Sequence, residues 1–139
     1  MKFEIGQKVV LCDTVKTNEK QWYIAKLGIV LNVSSTRVLL NVFDFRKQNF
    51  EGIVKFNVFD NVVHPIEELG TIRGNLTAFY NDLIKTEVLK LASVTSELKE
   101  QELREHYLRI KYDVIERDKV LEEIGEGALA CFNNRLSME

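Results

Sequence analysis

The sequence predicts an α+β protein: a small antiparallel β-barrel, then an antiparallel helical hairpin with room for a short third helix. Three observations carry this prediction. The only proline, Pro65, lies near the middle of the 139 residues. Before it, residues 1–70 hold eight of the thirteen aromatic residues and are rich in Val, Ile, Phe and Asn. After it, residues 71–139 are rich in Leu, Glu, Lys and Arg, and their apolar residues recur at steps of three and four. The first texture suits strands and the second suits helices. The chain therefore divides into a β unit over 1–70 and a helical association region over 71–139.

The elements follow in order. Gly6 precedes a short strand over residues 7–13, and a polar stretch over 14–21 separates it from the next. Residues 22–33 form one long extended run in which Gly28 predicts a bulge or bend. Ser34 and Ser35 make a turn. Residues 37–45 are a third strand, dense in β-branched and aromatic residues. A polar turn over 46–49 leads to a fourth strand over 50–56, and a last short piece spans 61–66, its proline marking a strand end. Five short strands at close spacing predict closure into a barrel, which removes open sheet edges.

These strands resemble a known group of folds. The run Phe3-Glu4-Ile5-Gly6-Gln7-Lys8-Val9-Val10 is similar to the opening of small barrels of the Src-homology-three type, including Tudor, chromo-barrel and KOW-like domains. Gly28-Ile29-Val30 followed by Arg37-Val38-Leu39-Leu40 resembles their central hairpin, and Asp60-Asn61-Val62-Val63-His64-Pro65-Ile66 their closing strand. The extra glycines of the KOW pattern are missing. The resemblance implies binding of peptides, methylated side chains or nucleic acid. The candidate contact residues are Trp22, Tyr23, Phe45, Arg46 and Lys47. Adjacent Trp22 and Tyr23 point to opposite faces of a strand, so one of them is expected at the surface. For any single ring, core packing is the stronger reading than a ligand cage.

In the second half, Leu76, Phe79, Tyr80, Leu83, Ile84, Val88 and Leu91 follow helical spacing, with Asn75 as the expected N-cap. Residues 93–96 interrupt the pattern, and Ser96 is placed to cap a second helix. Leu103, Tyr107, Ile110, Val114, Leu121 and Ile124 then form a near-heptad seam. Tyr107, Ile110, Val114 and Leu121 are the candidate self-association residues, with a homodimer through the helices expected. The alternative is a monomer whose hairpin covers the barrel. Leu108, Tyr112 and Ile115 are expected to widen the buried face. Gly125 and Gly127 end the helix, and residues 128–136 suit a short third one.

Charge and chemistry narrow the function. The net charge is −2, with nine Lys and Arg against eight Asp and Glu in the β half, and ten against thirteen in the helical half. That balance disfavours nucleic acid, although Lys16, Lys20, Lys26, Arg37, Arg46 and Lys47 could line one side of a barrel with the aromatics. No apolar run approaches the roughly 18 residues of a membrane span, and no apolar signal core follows Met1, so a cytoplasmic protein is expected. Two cysteines, Cys12 and Cys131, build no disulfide framework and read as buried apolar residues. His64, His106 and the cysteines are too scattered for a metal site. No phosphate loop or nucleophile constellation is present, so no enzyme activity and no cofactor are expected. The sequence thus predicts an interaction protein, in the format of a small adaptor or a phage-type inhibitor that binds a protein partner. A nucleic-acid-binding barrel is the alternative.

Overall fold

In a computed structural model, described here over residues 3–94 and 99–138, five strands form one antiparallel sheet. They are β1 (Lys8–Lys16), β2 (Gln21–Val33), β3 (Arg37–Asp44), β4 (Asn49–Asn57) and β5 (Val63–Pro65). The order is β4-β3-β2-β1-β5. Short turns set the pairing. Thr17 Oγ1 accepts from the Lys20 backbone N–H at 3.1 Å and closes the β1–β2 turn. Ser34 Oγ accepts from Arg37 N at 3.0 Å between β2 and β3, and Asp44 Oδ1 accepts from Lys47 N at 3.1 Å between β3 and β4. Small polar side chains hold such turns because they satisfy backbone donors locally.

The sheet stays open, which corrects the expected barrel. Among the described residues β4 pairs only with β3, and β5 only with β1, so the two ends of the sheet do not pair. β5 has three residues and ends on Pro65, which has no N–H to donate, so it covers only Val9, Val10 and Leu11. Side chains do what hydrogen bonds do in a barrel. Val9, Leu11, Val30, Val38, Leu40, Val42 and Val63 are buried on one face of the sheet, together with Phe3 and covered by Val58 and Val62. A curled sheet capped by its own flanking segments can bury this face without closing.

The bulge falls three residues beyond its expected place. Gly28 pairs regularly with Val9 and Val42, and the extra residue is Leu31. Gly28 serves close approach: a Cβ there would lie 3.2 Å from the Asn41 carbonyl oxygen. A second irregularity leaves Glu51 unopposed, next to Gly52 at φ 141°, a conformation that favours glycine.

The opposite face of the sheet carries the helices α1 (Leu69–Val94), α2 (Glu100–Glu123) and α3 (Glu126–Ser137). One core joins Val10, Ala25, Leu27 and Phe43 of the strands to Leu76, Tyr80, Val120, Ile124, Ala128 and Phe132 of the helices. Packing therefore runs across residue 70. α1 starts six residues before the expected cap at Asn75, because Leu69 and Ile72 extend the same apolar stripe into the core. Ser96 lies outside the described residues, and α2 begins at Glu100, after Lys99.

Three contacts establish that α1 and α2 run antiparallel. Arg73 Nε donates to the Ile124 carbonyl at 2.6 Å, Arg117 Nη1 donates to Asn81 Oδ1 at 2.9 Å, and His106 Nδ1 lies 3.3 Å from Glu87 Oε2. Gly125 follows the end of α2 as expected, whereas Gly127, also expected to end a helix, lies in the first turn of α3, which folds back onto the sheet. Phe132 of α3 is fully buried, its ring 5.7 Å from Phe43 and 6.1 Å from Phe50.

A cleft between the strand hairpin and the helices

The β1–β2 turn reaches over the helical hairpin and makes a cleft. Lys20 Nζ, at the tip, lies 2.7 Å from Glu116 Oε2 on α2 and 5.8 Å from the Trp22 ring centre. Two residues from the turn end of β2, the Tyr23 backbone N–H donates to Tyr80 Oη of α1 at 3.0 Å. The Tyr23 ring meets Phe79 edge-on at 4.9 Å. These contacts hold the turn and the helices apart at a set spacing, leaving a space of about 530 Å³. Phe79, Leu83 and Glu87 of α1 face it at steps of four, opposite Arg109, Tyr112 and Asp113 of α2. Glu19, Lys20 and Gln21 close one end.

The floor is apolar and the walls are charged. Burial raises the Asp113 carboxyl above its ordinary value; Lys20 opposes the rise, and Glu116 and Glu87 add to it. Burial also raises the Tyr80 phenol, the N–H of Tyr23 works against that, and the charges of Glu116 and Asp113 reinforce it. Among the described residues Asp113 accepts no hydrogen bond and Arg109 belongs to no ion pair.

A smaller polar cluster sits where β2, β3 and α2 meet. Lys26 Nζ lies 2.9 Å from Glu51 and 3.4 Å from Asp44, and Glu123 Oε2 accepts from Phe45 N at 3.0 Å. Burial by itself would raise the Asp44 carboxyl, but the Lys47 N–H and the Lys26 ammonium hold it below its ordinary value. Burial by itself would lower the Lys26 ammonium, but Glu51, Asp44 and Glu123 hold it above its ordinary value. The cluster's acids are all engaged, so it fastens the strands to one another and to α2.

The expected contact residues are scattered. Tyr23 and Phe45 pack into the core between sheet and helices, while Trp22 is half-buried on the other face. Arg46 and Lys47 are exposed at the β3–β4 turn. Of the expected self-association residues, Ile110, Val114 and Leu121 are half-buried, with Leu121 against the core, and Tyr107 stands outward. The stripe expected to widen the buried face is instead open: Leu108, Tyr112 and Ile115 are 48%, 67% and 42% exposed. One sheet and one partner helix cover only one side of α2, and this side is left over. Cys12 and Cys131 are free thiols against the helix-side core, and burial, then Asp13, raises the Cys12 thiol.

Sequence reading missed Phe79, Leu83, Glu87, Arg109 and Asp113 as one site. Their only signal was shared helix-face spacing, and the turn that completes the cleft lies some sixty residues upstream. Among the described residues, no three His, Cys, Asp or Glu side chains converge as metal ligands, and no helix is long and apolar enough to cross a membrane. In comparisons with known proteins, no family model, no curated protein and no solved structure matches the chain.

Proposed function

We propose that the chain is a non-enzymatic interaction module that captures a protein partner on the outward side of its helical hairpin, as an adaptor or an inhibitor does. One observation carries this reading. Leu108, Tyr112 and Ile115, at i, i+4 and i+7 on α2, form an exposed apolar stripe with Tyr107 beside it. The helix that presents it is held by α1 and the sheet, so little order is lost on binding. Tyrosine in this position combines a broad apolar surface with a polar tip, as interfaces favour. The basic residues that a nucleic-acid surface would use are partly engaged: Lys20 pairs with Glu116, and Lys26 pairs with Asp44 and Glu51.

Affinity capture from the native host tests the reading. The unmodified chain is expected to recover one protein at stoichiometric yield. A Leu108→Glu/Tyr112→Glu variant should lose it, and Phe59→Ala, which alters an exposed ring away from the helices, should keep it. No stoichiometric partner, or equal capture by the charged variant, overturns the proposal.

A further inference from the structure

The cleft beside the exposed stripe has a chemistry of its own. Its floor is Phe79, Leu83 and Tyr112. The carboxylates of Glu19, Glu87 and Asp113 line it, and the cations that share the lining are Lys20 and Arg109. Lys20 is already held by Glu116 at 2.7 Å. Glu87 reaches His106 at 3.3 Å and Lys90 at 3.7 Å, outside the lining. With Lys20 set against Glu116 and Glu87 against Lys90, the lining keeps Glu19 and Asp113 against Arg109, an excess of one negative charge beside an apolar floor.

We propose that this cleft receives a lysine or arginine side chain of the protein partner, its aliphatic stem on Phe79, Leu83 and Tyr112 and its cationic head between Glu87 and Asp113. The inference rests on the interaction reading above, since Tyr112 belongs to both the stripe and the cleft. Long basic side chains match such a surface because stem and head have opposite needs. A cation near the Tyr112 ring face gains from the ring's quadrupole as well. An anion would meet the carboxylate excess. A neutral apolar group would strip water from Glu87 and Asp113 and return no hydrogen bond. Asp113, raised by burial and by Glu116 and Glu87, is the group that an added cation relieves most directly.

The test uses the full chain, isotopically labelled, and follows backbone amide resonances. It is titrated with N-acetyl-lysine methylamide, and separately with the uncharged norleucine analogue of similar shape. The lysine probe should shift Leu83, Tyr112 and Asp113 saturably at a few millimolar, about the affinity one side chain can supply. The norleucine probe should bind about two- to fivefold more weakly, and Asp113→Asn should weaken the lysine probe by a similar factor. The same spectra report whether the variant is folded, and Glu87→Gln gives a second reading of the carboxylate wall. No shift up to about 20 mM, equal binding of norleucine, or indifference to both variants overturns the assignment. Lysine-probe binding with no partner recovered from the host overturns the interaction reading alone. A partner held equally by the unmodified chain and Asp113→Asn overturns the basic-side-chain assignment alone.

Discussion

At the scale of single residues, the two aspartates with opposite settings make opposite predictions. Asp113 is raised in the folded chain, so its folded form holds protons more tightly than its unfolded form. Stability then falls as pH rises through the window from the ordinary value, about 4, up to the raised one. Asp113→Asn removes that penalty and is expected to raise the melting temperature at pH 7 by a few degrees at most, with little change at about pH 3. Asp44 is lowered, so its contribution is present above the ordinary range and disappears as pH falls through the lowered value. Asp44→Asn should therefore destabilise at pH 7 and matter less in acid, as thermal melts across pH would record. Tyr80 offers a third case. Removing its hydroxyl leaves the Tyr23 N–H without its partner, so Tyr80→Phe should cost about 1–2 kcal/mol in urea unfolding. A loss near zero would mean that water replaces the phenol. Tyr80 was legible as an apolar helix position. Its hydroxyl's duty was not, because the partner lies 57 residues away in sequence.

At the scale of elements, α3 is the clearest case. It places Phe132 between Phe43 and Phe50, and it reaches β1 through Asn133 Oδ1, which accepts from Lys8 Nζ at 2.7 Å. Phe132→Ala is expected to cost about 3–5 kcal/mol, which calorimetry or denaturant titration would measure. A cost below about 1 kcal/mol would mean that α3 is an appendage to the fold. Strands β2, β3 and β4 were legible nearly to their ends, because alternation and polar turns act over a few residues. The start of α1 was misplaced because Asn75 has the side chain of an N-cap, yet Leu69 and Ile72 before it are buried in the core and extend the helix. The stripe of Leu108, Tyr112 and Ile115 was found but given the wrong side. Periodicity says that residues share a helix face; it does not say which of two faces meets the sheet.

At the scale of the whole molecule, the change of texture at Pro65 correctly separated strands from helices, and the closed barrel failed. Closure depends on whether the first and last strands of the order can bond. That is decided by the brevity of β5 and by what covers the inner face, and neither is visible in local composition. The proposed role also fixes an expectation for the free chain. If the α2 stripe serves a different protein, sedimentation at micromolar concentration should give a monomer, whereas a dimer dispersed by Tyr112→Glu would reassign the stripe to a second copy.

The position of α3 has a consequence for how the chain is made. Every aromatic ring that Phe132 seals belongs to a strand synthesised some eighty residues earlier. While the ribosome is still adding the helices, the sheet can pair its strands and bury its valine face, but its other face stands bare. Contacts between such distant segments form slowly, and bare apolar faces attract one another in the meantime. The nascent protein therefore has an interval of vulnerability that closes only when the last of these helices emerges. Molecules stalled or clipped before residue 126 should be substrates for chaperones and proteases, and soluble yield should depend more steeply on growth temperature than the stability of the finished fold would suggest.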